Sequence, residues 1–374
     1  MNQEIFDCIL NDYKNDINFY ELNSSNYIKE IIGIIKHIYL QIYDNYEKLD
    51  NDVKFYTLNY RNSLCFNLEN NISQNSKQIE ILKKVKQPEQ RTPEWYIFRK
   101  NRLTASDLGT VMGINPYSKR NILIAKKCGF EEPFYKSPAI KHGVKFEDVA
   151  VSIYEKRNNV KIYEYGCIPH PTIKHFGASP DGICDPLSKN KEYIGRMLEI
   201  KCPKSRVINE YIPDYYELQV QGQLEVCNLE YCDYLECAIS EYDNEQEFID
   251  DCGEGLDVTK KNNEKGVLIE TYNSSLGKDN YFYLNKFKTL EEINTWKQMI
   301  MENLKELKLE KITYWRLNEY NIKLVKRDRK RFNNDFLPEI NRFWNDVLKH
   351  REIGYESLLN KRPKKELVFL PDTP

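Results

Sequence analysis

The sequence predicts a mixed α/β fold, a central sheet flanked by helices, and three observations carry that expectation. In LEIKCP (198–203) apolar and charged residues alternate, so Glu199 and Lys201 share one strand face while Leu198 and Ile200 take the other. A helix segment at 142–157 precedes this strand, with Val144, Glu147 and Val151 at helical spacing. A second helix segment at 213–227 follows it and leads into a further strand at 232–240.

Taken in order, residues 1–87 read as a helical N-terminal extension, because Ile28, Ile31, Ile35, Ile38 and Ile42 mark one helical stripe with Lys29, Lys36 and Gln41 off it. The interrupting charges argue against a membrane span there. Residues 88–240 form the core: helices at 106–113, 119–128 and 142–157, strands at 160–168, 175–179, 194–202 and 232–240, and the helix at 213–227. Ser106 and Asp107 ahead of LGTVMG read as a helix N-cap. Residues 241–312 read as an insertion, acidic from Glu241 to Asp257. It then turns helical, with Leu290, Ile293, Trp296, Ile300 and Leu304 at helical spacing, a stripe that is core in most proteins. Residues 313–360 supply a last strand at 320–326 and a helix through Phe336, Ile340, Phe343 and Val347 that complete the core, and 361–374 form a flexible basic tail.

The chemistry concentrates in two stretches. Asp181 sits in the Pro-Asp-Gly turn of ASPDG (178–182), and the pattern P-D-x17-E-x-K then brings Glu199 and Lys201. Hydrolysis of a phosphodiester needs a divalent cation on carboxylate oxygens and a positive group near the attacking water or the phosphate. Each residue also has a plainer reading: Pro-Asp-Gly is a favoured turn in its own right, and alternating charges are often a solvated strand face. Glu147 rides beside an apolar helix stripe, where a carboxylate is either paired or metal-bound.

Two further stretches narrow the choice. WYIFRKNRLTAS (95–106) carries Trp95, Arg99, Thr104, Ala105 and Ser106, and YYELQVQGQLEV carries Gln219 and Gln221. Together with HGVKFED, ASPDG and LEIKCP, this set resembles the PD-(D/E)XK nuclease superfamily. Within it, the set is most similar to the phage-lambda exonuclease branch, the YqaJ-like viral recombinases. The likeness is specific over roughly 88–240 and thinner over 314–350. It implies a restriction-endonuclease-like core in which Glu147, Asp181 and Glu199, with the carbonyl of Ile200, hold one or two Mg²⁺ ions. Mn²⁺ is an expected substitute, since oxygen-only ligands suit either ion. Lys201 would orient or help deprotonate the attacking water. Arg99, Ser106 and Gln219, helped by Thr104, match the family's pocket for a terminal 5′-phosphate, consistent with the bidentate fork of Arg and the donors of a helix N-terminus.

The implied activity is a 5′-to-3′ exonuclease acting on double-stranded DNA ends for recombination, repair or replication, as in viruses. An endonuclease, a single-strand or RNA-directed nuclease, and a non-catalytic DNA-end binder or host-factor interaction protein stand as alternatives. A single-strand annealing protein as partner and a homotrimeric ring as assembly are candidates on the same resemblance.

Bulk composition is compatible with this reading and does not require it. The formal net charge of −2 over 374 residues is not that of a bulk nucleic-acid binder. Basic character is local, in KLVKRDRKR (323–331) and KRPKK (361–365), either of which reads as a phosphate-contacting patch or as a solvated face. KRPKK also fits a nuclear import signal. Ten cysteines without a disulfide framework, and no secretory signal or membrane span, predict an intracellular, reduced protein in host cytoplasm or nucleus. Cys227, Cys232 and Cys237 recur every five residues without a Cys-x2-Cys knuckle, so they read as buried free thiols instead of cluster or zinc ligands.

Overall fold

The computed structural model describes Gly33 and residues 70–88, 92–131, 137–284, 286–304 and 307–359. The chain divides into two units, Met1–Lys77 and Gln78–Pro374. Of the first, Gly33 and 70–77 are described and are helical. The isoleucine stripe at 28–42 and the KRPKK tail lie outside the described residues.

In the second unit, α1 (Pro93–Lys100) starts behind a Thr92 cap and leads into β1 (Leu103–Thr104), a 3₁₀ turn at Ala105–Asp107, and the short α2 (Leu108–Val111). Next come α3 (Arg120–Cys128) and the long α4 (Pro138–Asn158), which Ser137 caps by accepting from Ile140 N. Strands β2 (Ile162–Tyr163), β3 (Ile168–Pro169), β4 (Phe176–Ala178), β5 (Gly182–Cys184) and β6 (Met197–Lys201) follow, then α5 (Asp214–Cys227) and β7 (Tyr231–Glu241). The remainder is α6 (Glu245–Asp250), the hairpin β8 (Lys265–Asn273) and β9 (Lys278–Leu284), α7 (Leu290–Glu302), β10 (Leu307–Lys326) and α8 (Leu337–Ile353).

The main sheet has seven strands in the order β2-β5-β6-β7-β10-β8-β9, and β1-β4-β3 form a small second sheet. Among the pairs of the main sheet, β6 and β7 are parallel, joined by the crossover helix α5 as a parallel connection requires. The mixed α/β class is therefore observed, with a helix ahead of a mixed sheet and another packed on it. From α4, Phe146, Val149, Ala150 and Ile153 bury against Leu198, Ile200, Leu235 and Cys237 on one sheet face. The opposite face meets α5, whose Gly222 lets the helix approach the 105–108 turn: a Cβ there would lie 2.6 Å from Leu108 Cδ1 and 3.1 Å from Ala105 Cβ.

Three elements differ from the sequence reading. The segment 160–168 is two short strands in different sheets, because β2 pairs with β5 while β3 pairs with β4. The strand at 320–326 is the end of a 20-residue strand placed centrally: β10 pairs with β7 over 315–326 and with β8 over 307–316, with register shifts at Leu317/Glu319 and Leu309/Lys311. Within 241–312, the hairpin β8–β9 extends the main sheet, while Phe248 of α6 and Ile293 of α7 pack with Val267 and Tyr314 in a satellite core. Alternation of polar and apolar residues along 265–284 is weak, which is why the hairpin was not legible.

Cys227, Cys232 and Cys237 are buried free thiols, and burial pushes all three up in pKa. Among the described residues no helix is long and apolar enough to cross a membrane.

Candidate active site

The strand alternation places Glu199 and Lys201 on the α5 side of β6, with Leu198 and Ile200 in the α4-side core. Glu199 is buried, and both of its oxygens are engaged. Oε1 accepts from Gln219 Nε2 at 2.6 Å and from Lys201 Nζ, and Oε2 accepts from Gln223 Nε2 at 2.7 Å. Gln219 and Gln223 stand one helical turn apart on α5, so a single helix face grips both oxygens of one carboxylate. Lys201 Nζ also lies 4.6 Å from the centre of the Tyr216 ring. Burial works to lower the Lys201 pKa, but Glu199 and Asp181 outweigh it and hold the ammonium charged.

Asp181 comes from the turn between β4 and β5. Its Oδ2 accepts from the Ile200 N–H at 2.7 Å, which locks the turn to the middle of the Glu-x-Lys strand. Burial raises the Asp181 pKa well above the usual carboxylate range, and the Glu199 and Glu147 carboxylates raise it further. Glu147 arrives from α4, where Cys202 Sγ, at the end of β6, donates to Phe146 O at 3.6 Å. The Cys202 thiol is pushed up by burial, then by Cys237, Glu147 and Asp181. Asp181 is thus under the influence of both Glu199 and Glu147 near the end of β6.

Among the described residues no group of three or more His, Cys, Asp or Glu side chains stands at metal-binding spacing. The donor chemistry nevertheless fits a hard divalent cation. Asp181 is held above its ordinary pKa by burial first and then by the Glu199 and Glu147 carboxylates, and a cation on these oxygen donors would offset that charge.

A second cluster forms around the 105–107 turn. Arg99 Nη2 donates to Ser106 Oγ at 3.3 Å, and Ser106 Oγ lies 3.0 Å from Thr104 Oγ1. Asp107 accepts from Thr104 N and from Lys127 Nζ, each at 2.9 Å. Burial acts to raise the Asp107 pKa, but Lys127 and Arg99 bring it below the usual range. The Arg99 guanidinium stacks 4.6 Å from the Trp95 ring centre, and Arg99 with Lys126 and Lys127 lines an open cavity of about 320 Å³. The structure therefore brings Arg99, Thr104 and Ser106 together, while Gln219 is joined to the Glu199 carboxylate.

The sequence reading missed Gln223 and Arg102 here, and it gave Trp95 as a motif residue without a role. Gln223 engages Glu199, whereas the other member of the expected pair, Gln221, binds Lys326 O and Asp328 N at the end of β10. The four-residue offset from Gln219 was the available signal. Trp95 Nε1 and Arg102 Nε and Nη1 are buried donors with no hydrogen-bond partner among the described residues. An oxyanion would satisfy such donors.

In the basic run at 323–331, four cations have acidic partners. Lys323 pairs with the fully buried Glu236, Arg327 with Glu225, Arg329 with Glu230, and Arg331 with Glu217. These four cations neutralise acids of α5, of β7 and of the turn between them, while Arg329 and Arg331 stay partly exposed.

Residues 94–230 match the model of the YqaJ-like viral recombinase domain. This stretch runs from α1 to the start of β7 and holds the Arg99 cluster and all three carboxylates. An uncharacterised protein of Acanthamoeba polyphaga mimivirus is 34% identical over 304 residues, covering 73% of this chain and 55% of the relative. A protein of African swine fever virus is 28% identical over 160 residues, 37% of this chain and 46% of the relative. The chain spans about half the length of the curated relatives it matches. A solved alkaline exonuclease from Laribacter hongkongensis aligns at TM-score 0.40 and 18% identity, over 72% of this chain and 98% of its own. A phage-related exonuclease from Haemophilus somnus aligns at TM-score 0.35 and 11% identity, over 69% and 95%.

Proposed function

We propose that the YqaJ-like domain is a metal-dependent exonuclease that degrades one strand of linear double-stranded DNA, 5′ to 3′, from 5′-phosphorylated ends, in viral DNA recombination, repair or replication. The observation that carries this reading is the meeting of Asp181, from the β4–β5 turn, with Glu199 and Lys201 of β6, where Asp181 accepts from the Ile200 N–H and Glu199 is held by Gln219 and Gln223. Glu147, Asp181 and Glu199, with the Ile200 carbonyl, would hold Mg²⁺, with Mn²⁺ as a substitute. Such an ion neutralises charge on the phosphate and supplies an activated water.

The chain's own groups do the rest. Lys201, kept charged by its two carboxylate neighbours, orients the attacking water and offsets charge developing on the phosphate. Gln219 and Gln223 fix the rotamer of Glu199, so its oxygens do not have to be reorganised during the reaction. Arg99, Thr104 and Ser106 form the anchor for a terminal 5′-phosphate. An anchored end phosphate beside the hydrolytic site makes removal from ends the favoured outcome over internal cutting. A partner annealing protein and a ring-shaped trimer remain part of the proposal, as does action inside a host cell.

The test compares linear duplexes with 5′-phosphate or 5′-hydroxyl ends against covalently closed circles, using the natural protein and Arg99→Ala. Preference for the phosphorylated end, lost in Arg99→Ala, supports the reading. Efficient cutting of the closed circle would support an endonuclease instead.

A further inference from the structure

Beside the carboxylates runs a file of aromatic rings that hydrolysis does not use. Tyr216 lies under Lys201 Nζ, Tyr215 follows with its ring centre 4.3 Å from that of Tyr216, and Tyr117 follows with its centre 6.0 Å from Tyr215. The file therefore begins at the proposed catalytic lysine and ends on a tyrosine that is 79% exposed.

Its outer end is held in place. Ile114 N and Asn115 N both donate to Gly109 O at 2.9 Å, Asn115 Nδ2 donates to Thr110 Oγ1, and Tyr117 N donates to Asn115 Oδ1 at 2.9 Å. Gly109 itself is a close-approach position, since a Cβ there would lie 2.8 Å from Tyr215 Cβ. The loop bearing Tyr117 is thus fastened to α2, and α2 is pressed against the first turn of α5. Tyr117 and Tyr215 meet at 84°, edge to face, so they do not close on each other as two stacked rings would. A ring this exposed on a fastened loop adds little to the core, because most of its surface stays in water.

Resting on the nuclease reading above, we infer that Tyr117, Tyr215 and Tyr216 form a stacking track for unpaired bases of the substrate strand next to the scissile phosphate. Aromatic faces bind bases without regard to sequence, because every base has a π-face. Lys201 at the inner end supplies the positive charge a phosphate needs, and burial together with Tyr216 and Tyr117 pushes the Tyr215 phenol up, so that ring stays neutral beside a polyanion. A strand end must leave its duplex to reach a buried site such as Glu199, and the track gives the released bases a partner.

The test is binding in EDTA, where no hydrolysis occurs, of a DNA duplex with a mismatched, frayed 5′-phosphorylated end carrying 2-aminopurine in the unpaired stretch. A fully paired duplex serves as control. The natural protein is expected to quench the fluorophore. Tyr117→Leu and Tyr215→Leu are each expected to reduce the quench and weaken binding of the frayed duplex about tenfold, the scale of losing one stacked base. Tyr117→Phe, which keeps the ring, is expected to recover both. Unchanged quench and affinity in both leucine variants, with digestion in Mg²⁺ intact, would overturn the track and leave the nuclease standing. Failure of the natural protein to bind or cut DNA would overturn both.

Discussion

Glu199 is 1% exposed and carries a carboxylate, a position that only a full set of partners makes tolerable. Gln219, Gln223 and Lys201 supply that set, and the expected consequence of Gln223→Ala follows directly. One buried oxygen loses its donor, so activity should fall about 10- to 100-fold, as for groups that orient a metal ligand. Steady-state digestion rates alongside melting curves check this; a loss of activity matched by no loss in apparent metal affinity or rate per folded molecule would refute a positioning role. At this scale much was legible. The alternation of LEIKCP fixes which face Glu199 and Lys201 share, and the Pro-Asp-Gly turn marks Asp181. The Ile200 N–H that binds Asp181 is not readable, because it depends on two segments meeting in register.

At the scale of elements, the site is held by close approaches. Gly222→Ala puts a methyl 2.6 Å from Leu108 Cδ1 and 3.1 Å from Ala105 Cβ, so α5 must shift from the turn bearing Thr104 and Ser106. Overpacking of this kind costs about 1–3 kcal/mol, which chemical denaturation should register, with weakened end binding alongside. The same turn has a pH signature. The folded-state pKa of Asp107 lies below the ordinary value, so its ionised form adds stability above the carboxylate range, and that contribution is lost as pH falls through it. The stability difference between the natural protein and Asp107→Asn should therefore narrow on acidification below about pH 4, where an unperturbed carboxyl takes up its proton; a gap that stays constant or widens would contradict the assignment. Helices α3, α4 and α5 were readable from apolar spacing. The splitting of 160–168 between two sheets was not, since the partners β4 and β5 are chosen by tertiary pairing.

Across the second unit, the 241–312 segment is built into the main sheet. The hairpin β8–β9 extends it and reaches α4: Lys145 pairs with Glu241 and Glu270, and Tyr283 Oη donates to Lys145 O at 3.0 Å, two residues from Glu147. Local sequence could not show this, because β10 separates β7 from β8 and its pairings span long stretches of chain. The acidic partners of the basic run at 323–331 are hidden from local sequence for the same reason, since they lie about a hundred residues earlier. Lys323→Met should accordingly lower stability by about 2–3 kcal/mol, by leaving the buried Glu236 with Arg206 as its remaining cation, and leave the salt dependence of DNA binding unaltered. A shallower salt slope with unchanged stability would mean that Lys323 contacts phosphate after all.

The most direct measurement is digestion of a linear, 5′-phosphorylated duplex with Mg²⁺ or with EDTA, by the natural protein, Asp181→Ala and Lys201→Ala, each shown to be folded. Strand loss that requires Mg²⁺ and disappears in both variants is the predicted result. Undiminished cleavage by folded Asp181→Ala and Lys201→Ala, or none by the natural protein with any divalent ion, would contradict the assignment of the active site to the end of β6.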